Sequence, residues 1–430
     1  MLIGLFIILL LFIFLGTPVL LAIGIVGFTG ILVNHLNPAF FPQKMFTMLD
    51  SFSLLAMPYF ILAGELMSRG GMSKRLVEFA ETVVGHMRGG LGHASVLSNI
   101  AFANVTGSST ASTVAIGSIL IPAMKERGYK PGFAASLIAT SGIIGPIIPP
   151  SMTMIVYGAM AGVSIGGLFL AGIIPGLLIG AGLMAAIHIH SFFPQFPELR
   201  QTTGKFDLIT VIKSIRKVWV ALLAPVIILG GILSGVFTAT EAGVVACFYA
   251  FIVSAVIYRS VRLRDLPEIF ISAAITTAMV VGIIAVAGSL AWLLAYLDFN
   301  ELILGMILSV SRNPTTVMLI LIFIMMVLTM FIEGLAILVI MIPVMTYIST
   351  TFGFDPLHFG LLMVFAAQIG ATTPPVAVLL FVSTSIAKTP YDQTVRYCYP
   401  FIFTLLLILL LCAFFPVLST WIPHHFLGTM

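Results

Sequence analysis

Two apolar segments of this chain are interrupted by similar groups of glycine and proline residues. The first is SGIIGPIIPP, which begins at Ser141, and the second is QIGATTPP, which begins at Gln368. In hydrocarbon each unpaired backbone N–H or C=O costs several kcal/mol, so a helix breaks there only where protein or a wet cavity surrounds the break. The two segments therefore predict two broken helices around a site inside a membrane protein.

The composition agrees with a chain that lies mostly in a membrane. Of its 430 residues, 60% are hydrophobic and 8% are charged, which is outside the range of soluble globular proteins. A span takes roughly 20 residues, so on the order of ten spans are expected. The first apolar run has no basic region before it and no cleavage site after it, which predicts a retained span. The basic residues lie in loops between spans, so the net charge of +4 does not indicate nucleic-acid binding.

The two interruptions belong to a longer internal repeat. Glycine and proline residues recur at one constant offset in six pairs: Gly128 with Gly353, Pro131 with Pro356, Gly145 with Gly370, Pro149 with Pro374, Pro150 with Pro375, and Pro175 with Pro400. Six such matches are hard to obtain by chance. The pattern predicts a duplication, with residues 1–217 as the first repeat and residues 218–430 as the second.

Each repeat is expected to contain a hairpin followed by a broken helix. The hairpins are predicted at about 106–123 and 325–348, and the broken helices at 132–160 and 357–387. Continuous spans are expected near 2–15, 18–34, 52–67, 91–105, 167–187, 218–236, 241–258, 269–297 and 397–415, with a further segment at 302–323. The basic amphipathic stretch at about 205–217 predicts a helix along the cytoplasmic interface.

The distribution of basic residues predicts the orientation of the chain. If the loop at 125–130 is cytoplasmic, all but Lys44 and Arg312 of the 19 basic residues fall on that side, as the positive-inside rule requires. Corresponding loops of the two repeats differ in charge, KERGYK against TTFGFD. We therefore expect an all-α polytopic membrane protein with an inverted-topology repeat, two re-entrant hairpins and two broken transmembrane helices.

A cluster of small polar residues precedes the first broken segment. Six of the seven residues from Gly107 to Thr113 are glycine, serine or threonine, including Ser108, Ser109 and Thr110. Such residues allow membrane helices to pack closely, which is one explanation. Their position beside a predicted turn favours a second one, a hairpin tip whose hydroxyl and backbone groups hold an ion or an anionic substrate.

The broken helices offer groups that can bind a cation and groups that can bind an anion. A half-helix that ends in the membrane frees carbonyl groups, which suit Na⁺, and one that begins there frees N–H groups, which suit a carboxylate. Gly145 and Gly370 allow an unusual backbone, and Thr372 and Thr373 could add hydroxyl ligands. A proline kink without any ligand is the alternative.

Glu333 is the least expected residue, because it is a carboxylate within a long apolar run. Acidic residues inside membranes usually have a functional partner or relay a proton. Alternatively, Glu333 caps a hairpin turn or lies near the outer interface. His188 and His190 have no further ligand at metal-binding spacing, so no transition-metal site is predicted. No phosphate-binding loop, nucleophile elbow or HExxH motif is found, so neither ATP hydrolysis nor another enzymatic activity is expected.

Several motifs in order resemble the large membrane subunit of tripartite ATP-independent periplasmic (TRAP) transporters. They are MPYFILAGELMSRGGMSKRLVEFA from Met57, GHMRGGLGHASVLSNIAFANVTGSS from Gly85, AIGSILIPAMKERGYKPGFAASLIATSGIIGPIIPPS from Ala115, FIEGLAILVIMIP from Phe331, and QIGATTPPVAVLLF from Gln368. The resemblance covers nearly the whole chain.

The resemblance implies a Na⁺-driven, elevator-type importer of an organic acid in the bacterial inner membrane, with no organic cofactor. Its partners would be a small four-span membrane subunit and a periplasmic substrate-binding protein. One Na⁺ site would combine Gly107 to Thr110 with the break from Ser141 through Gly145 to Pro149. The other would combine Glu333 and Gly334 with the break from Gly370 to Pro374.

One difference from the family pattern bears on the substrate. Many members have an aspartate soon after the Gly-Ser of the first hairpin, where this chain has Ser112 or Thr113. Two other functions stay open: a stand-alone Na⁺/dicarboxylate symporter, and a structural or proton-channelling subunit of a membrane complex.

Overall fold

A computed structural model describes residues 2–200, 202 and 206–428, and within these ranges the regular structure is entirely helical. Among the described residues, seven helices are long and apolar enough to cross a membrane, or eight if the bent pair Phe40–Leu49 and Phe52–Arg69 is one span. The protein is therefore an all-α, multi-pass membrane protein, as predicted. Seven or eight long helices agree with an expectation on the order of ten, and further apolar runs form shorter helices of 10–17 residues.

Within the described residues, the first half contains ten α-helices. They are α1 (Leu2–Phe14), α2 (Val19–Val33), α3 (Phe40–Leu49), α4 (Ala56–Arg69), α5 (Met72–Val84), α6 (Gly90–Thr106), α7 (Ser109–Glu126), α8 (Pro131–Gly142), α9 (Met152–Ala161) and α10 (Ile165–His190). Helices α3 and α5 were not predicted. Helix α5 carries two basic and two acidic residues in MSKRLVEFAETVV, so a search for continuous apolar runs passes over it.

The second half also contains ten helices. They are α11 (Leu208–Leu233), α12 (Ala239–Phe251), α13 (Leu266–Tyr296), α14 (Phe299–Val310), α15 (Pro314–Phe331), α16 (Gly334–Phe352), α17 (Pro356–Gly370), α18 (Val378–Ala387), α19 (Tyr391–Phe414) and α20 (Val417–Leu427). A π-helical turn, Ile252–Ile257, extends α12.

Two expected segments differ from the observed helices. The segment at 302–323 is wrong as a single element, because α14 ends at Val310 and α15 begins at Pro314. Pro314 starts the new helix, and the Asn313 side chain caps it by accepting a hydrogen bond from the Thr315 N–H at 2.9 Å. The basic stretch from 208 to 217 lies on the first turns of α11, which continues to Leu233, and Lys205 lies outside the described residues.

Helices of the two halves interleave in one bundle, which we call the core bundle and define as α6–α10 and α15–α19. In it α7 and α8 pack against α18 and α19, while α9 and α10 pack against α16 and α17. Every residue of α17 from Leu357 to Gly370 is buried, and so is every residue of α8 from Gly132 to Gly142. These two helices form the centre of the protein, and each of them ends at a break.

A second group, α2, α3, α4, α12 and α13, flanks the core bundle, and we call it the flanking group. Helix α4 packs closely with α12, and α13 packs on α2, α3 and α4. The groups meet where α4 contacts α6 and α9 and where α13 contacts α16. The end of α6 at Thr106 therefore lies at the boundary between the two groups, beside Gly64 of α4.

Gly172 allows the backbone of the first break to lie directly on α10. A Cβ at this position would overlap the Ile147 carbonyl oxygen and lie 2.9 Å from the methyl carbon of Met154. A backbone oxygen in a closely packed interior cannot move aside as a flexible side chain can.

We predict that Gly172→Ala lowers the thermal unfolding temperature of the purified protein, because it overpacks this contact by roughly 1–3 kcal/mol. The matched control is Gly230→Ala in α11, where a Cβ would have no heavy atom within 4 Å. The control is expected to leave the temperature unchanged or to raise it, since alanine favours a helix by about 1 kcal/mol over glycine. Equal unfolding temperatures for the two variants would contradict the close contact.

Candidate functional site

Gly107 forms the turn between α6 and α7, and we call this pair the first hairpin. Its predicted bounds, 106–123, were wrong, because α7 continues without a turn from Ser109 to Glu126 and the predicted span at 91–105 is the other arm, α6. Helix α6 ends at Thr106, and Gly107 has a φ of +57°, which L side chains rarely adopt. A Cβ there would lie 2.5 Å from the Pro150 carbonyl oxygen. Ser108 then caps α7 by accepting a hydrogen bond from the Ala111 N–H at 3.4 Å. Only glycine fits this contact between the turn and the break.

The first break, residues 143–151, joins α8 to α9 and is entirely buried. Its Ser151 hydroxyl donates to the Pro146 carbonyl at 2.6 Å and accepts from the Met154 N–H at 3.2 Å, which caps α9. The Met152 N–H donates to the Gly107 carbonyl at 3.3 Å. The break is thus tied by its backbone to the turn of the first hairpin.

Several predicted residues of the first repeat come together here. A Cβ on Gly145 would lie 3.0 Å from both the Ser108 carbonyl oxygen and the Ser112 hydroxyl oxygen. Ser141 accepts a hydrogen bond from the Asn99 side-chain amide at 2.9 Å. Of the others, Pro149 is buried in the break, Ser109 is partly buried in the first turn of α7, and Thr110 is exposed there.

Two residues near the first break have buried oxygen atoms without a partner among the described residues. They are Asn99, through its amide oxygen, and Thr113, through its hydroxyl. Of these, Thr113 belongs to the predicted polar cluster, whereas Asn99 was not predicted. Both side chains are fully buried, and a Cβ on Gly142 would overlap the Thr113 hydroxyl. Buried polar groups are nearly always hydrogen-bonded, so an oxygen without a partner needs an explanation. A polar residue within the apolar helix α6 was the available signal for Asn99.

Glu333 forms the turn of the second hairpin. Helix α15 ends at Phe331, and the Glu333 carboxylate caps α16 by accepting a hydrogen bond from the Ala336 N–H at 2.9 Å. Its side chain is exposed, whereas Gly334 is buried beside the Ala367 carbonyl oxygen, 3.4 Å from an ideal Cβ. Of the two interpretations of Glu333, capping of a hairpin turn is visible directly.

The second break, residues 371–377, joins α17 to α18. Its Ala377 N–H donates to the Met330 carbonyl at 3.2 Å, and the Tyr391 hydroxyl donates to the carbonyls of Pro375 and Val376 at 3.0 and 2.9 Å. Residues 373–376 are partly or fully exposed, including Pro374. The two breaks therefore differ in burial, although each donates a backbone hydrogen bond to its own hairpin.

The hydroxyl groups of Thr372 and Thr373 both donate to the Ile369 carbonyl, at 2.8 and 2.7 Å. A hydroxyl that donates a hydrogen bond keeps lone pairs that can accept a hydrogen bond or bind a cation. Gly370 lies against Thr329, whose hydroxyl a Cβ would overlap. The hydroxyl oxygen of Thr329 thus lies beside the end of α17, where the second break begins.

A cleft of about 470 Å³ separates the turn of the first hairpin from α4 and α13. On the core side it is lined by Ser108 and Thr110, and on the flanking side by Gly64, Glu65 and Arg69. At one end the cleft narrows where a Cβ on Gly64 would lie 3.4 Å from the Thr106 Cα. The N-terminus of α7, with its hydroxyl groups, therefore faces the charged side chains of Glu65 and Arg69 across the cleft.

Comparison with known proteins agrees with these features. The family model for the tripartite ATP-independent periplasmic transporter, DctM component, matches residues 6–418. A TRAP transporter large permease protein of Haemophilus influenzae is 40% identical over 94% of this chain and 95% of its own length. The sialic acid TRAP transporter large permease protein of Vibrio cholerae is 35% identical, over 93% and 92%. The C4-dicarboxylate TRAP transporter large permease protein of Pseudomonas aeruginosa is 37% identical, over 89% and 88%.

These relatives are permease subunits of transporters and not enzymes. The family model and the relatives each cover most of the chain, and the multi-pass helical fold agrees with a transporter. The chain belongs to the DctM family, the large permease subunits of TRAP transporters.

Proposed function

We propose that this chain is the large permease subunit of a Na⁺-coupled importer that moves an organic acid by an elevator mechanism. The observation that carries the proposal is the pair of helix breaks, each tied to the turn of a hairpin, with buried oxygens free of partners beside the first. Interrupted helices near the middle of a membrane are where secondary transporters bind substrate and coupling ions.

The first Na⁺ site combines the turn of the first hairpin with the first break. Its ligands are carbonyl oxygens around Ser108 and the side-chain oxygens of Asn99 and Thr113, supported by the absence of protein partners for the latter two. Neutral oxygens of this kind are the ligands that unwound transporter helices offer to Na⁺. Ser141 has a positioning role, because it holds the Asn99 amide through a hydrogen bond of 2.9 Å.

The second Na⁺ site combines the end of α15 with the second break. The hydroxyl groups of Thr329, Thr372 and Thr373 each donate a hydrogen bond to a backbone carbonyl three or four residues earlier in the chain. Their lone pairs are therefore left for a cation. In this proposal Glu333 acts by fixing the start of α16 rather than as a proton carrier, since its carboxylate accepts the Ala336 N–H.

The two sites belong to an inverted-topology repeat, with residues 1–217 and 218–430 as its halves. The charge difference between the 125–130 loop and its counterpart supports opposite orientation, and it places the basic loops in the cytoplasm, following the positive-inside rule. The core bundle then moves against the flanking group. The cleft beside α4 is lined from Gly64 to Arg69. Arg69 is one of the basic residues assigned to the cytoplasmic side, so in this proposal the cleft opens toward the cytoplasm.

The substrate binds in the cleft at the N-terminus of α7. Ser108 and Thr110 line the cleft with their hydroxyl groups, and the positive end of the α7 dipole favours a carboxylate. The tip itself carries no charge. Relatives named for sialic acid and for C4-dicarboxylates support an organic acid. As the family is tripartite, the partners are a small four-span membrane subunit and a periplasmic binding protein.

The proposal predicts uptake of labelled succinate or sialic acid into proteoliposomes only when an inward Na⁺ gradient and all three components are present. The Na⁺ gradient supplies the energy, and the binding protein supplies the substrate. Uptake is measured with each component left out in turn. Uptake by this chain alone would identify a stand-alone symporter, and uptake that is independent of Na⁺ would contradict ion coupling.

Thr113→Val should raise the Na⁺ concentration for half-maximal uptake by about tenfold, because one interaction with a charged group contributes roughly 1.5–3 kcal/mol. The substitution keeps the shape of the side chain and removes only the hydroxyl. Thr404→Val in α19 is the matched control, because that hydroxyl is already bonded to the Pro400 carbonyl at 2.9 Å. Equal Na⁺ dependence in the two variants would remove Thr113 from the site.

A further inference from the structure

The cleft contains one cation whose partners lie on two different helices. Among the described residues that line it, Arg69 is the only basic one, at the end of α4 away from Gly64. One guanidinium nitrogen lies 2.8 Å from the Glu268 carboxylate of α13, and the Nε lies 3.7 Å from the Glu65 carboxylate. The Ser272 hydroxyl donates to the other oxygen of Glu65 at 3.1 Å.

The two carboxylates are held differently. Glu65 is 30% exposed and anchored by Ser272, whereas Glu268 is 74% exposed. An ion pair with such an exposed partner contributes about 0–1 kcal/mol, because water and salt screen it. Arg69 can therefore exchange Glu268 for another anion at little cost. Its planar guanidinium has five N–H donors, so it can bind a carboxylate through two of them.

We propose that Arg69 is the second anchor of the substrate, and that the far end of the acid displaces Glu268 from it. This inference rests on the proposed function, because it assigns the other end of the substrate to the first turn of α7. In the empty cleft Glu268 holds the guanidinium. In the loaded cleft the guanidinium binds the substrate, and Glu268 returns to water.

The geometry of α4 indicates which acids would fit. Gly64 lies level with Thr106 at the hairpin turn, and Arg69 is five residues further along the helix, or about 7.5 Å along its axis. Ser108 and Thr110 line one side of the cleft and Arg69 the other, so an acid reaches both anchors only if it carries an acceptor group at each end. A short monocarboxylate reaches only one of the two anchors. Arg69 thus selects acids with a second acceptor group.

The test compares the binding of succinate and butyrate, two four-carbon acids that differ in the second carboxylate. Binding is measured on the complex with its small subunit in nanodiscs at saturating Na⁺. Arg69→Gln should weaken succinate binding by about tenfold, as expected for a lost charged hydrogen bond, and should leave butyrate binding unchanged. Arg69→Lys should lie between Arg69→Gln and the wild type.

Glu268→Gln gives the decisive comparison, because it removes the competitor for Arg69. It should tighten succinate binding about two- to threefold, opposite in direction to Arg69→Gln. If Arg69 and Glu268 only tie α4 to α13, both variants should weaken binding together, and that result would overturn the inference. Asp392→Asn, which removes an exposed carboxylate from the first turn of α19, is the control and should change nothing.

The remaining outcomes are also decisive. Equal loss of succinate and butyrate binding in Arg69→Gln would show that Arg69 does not recognise the second carboxylate. If neither succinate nor sialic acid binds the wild-type complex, the proposed function itself fails and takes this inference with it. Should Arg69→Gln fold poorly, Glu268→Gln alone still distinguishes competition from a structural tie by the sign of its effect.

Discussion

The structure depends on how two interrupted helices satisfy their backbone polar groups inside a membrane. Each break donates one backbone hydrogen bond to its own hairpin, from Met152 to Gly107 in the first half and from Ala377 to Met330 in the second. Without such partners, each buried N–H would cost several kcal/mol in hydrocarbon. The same bonds hold the turns of the hairpins beside the breaks. The arrangement that allows the helices to break therefore also assembles the proposed ion sites.

The two halves solve this problem with different chemistry. The first break is buried throughout and is stabilised from within by Ser151, while the second is partly exposed and depends on Tyr391 from α19. The cleft lies at the turn of the first hairpin, whereas α16 of the second hairpin packs against α13. In the proposed mechanism this difference corresponds to a single state of the transport cycle. Movement of the core bundle would open the second side and close the first.

Sequence reasoning succeeded where the local pattern determines the structure. Glycine and proline spacing located both breaks, and Glu333 stood out as an acid in an apolar run. The other site residues could be identified only from tertiary contacts. Asn99 became a candidate only because its amide oxygen lacks a partner after packing, which no spacing shows, and the same observation distinguishes Thr113 from the other residues of the predicted polar cluster. The division at Asn313 and Pro314 had a readable signal, a helix cap followed by proline, but the surrounding apolar run obscured it. In the sequence Arg69 could not be distinguished from the other basic loop residues, because its partner Glu268 lies on α13 and only the fold places the two side chains together.

The central claim is that the core bundle moves against the flanking group, and a disulfide across their boundary tests it most directly. Gly64 of α4 and Thr106 of α6 are close enough, with an ideal Cβ at 64 lying 3.4 Å from the Thr106 Cα. The pair Gly64→Cys and Thr106→Cys is introduced with Cys247, Cys398 and Cys412 replaced by serine. Mild oxidation should abolish Na⁺-driven uptake, and reduction should restore it, while each single cysteine stays active. Full uptake with the disulfide formed would contradict the moving core.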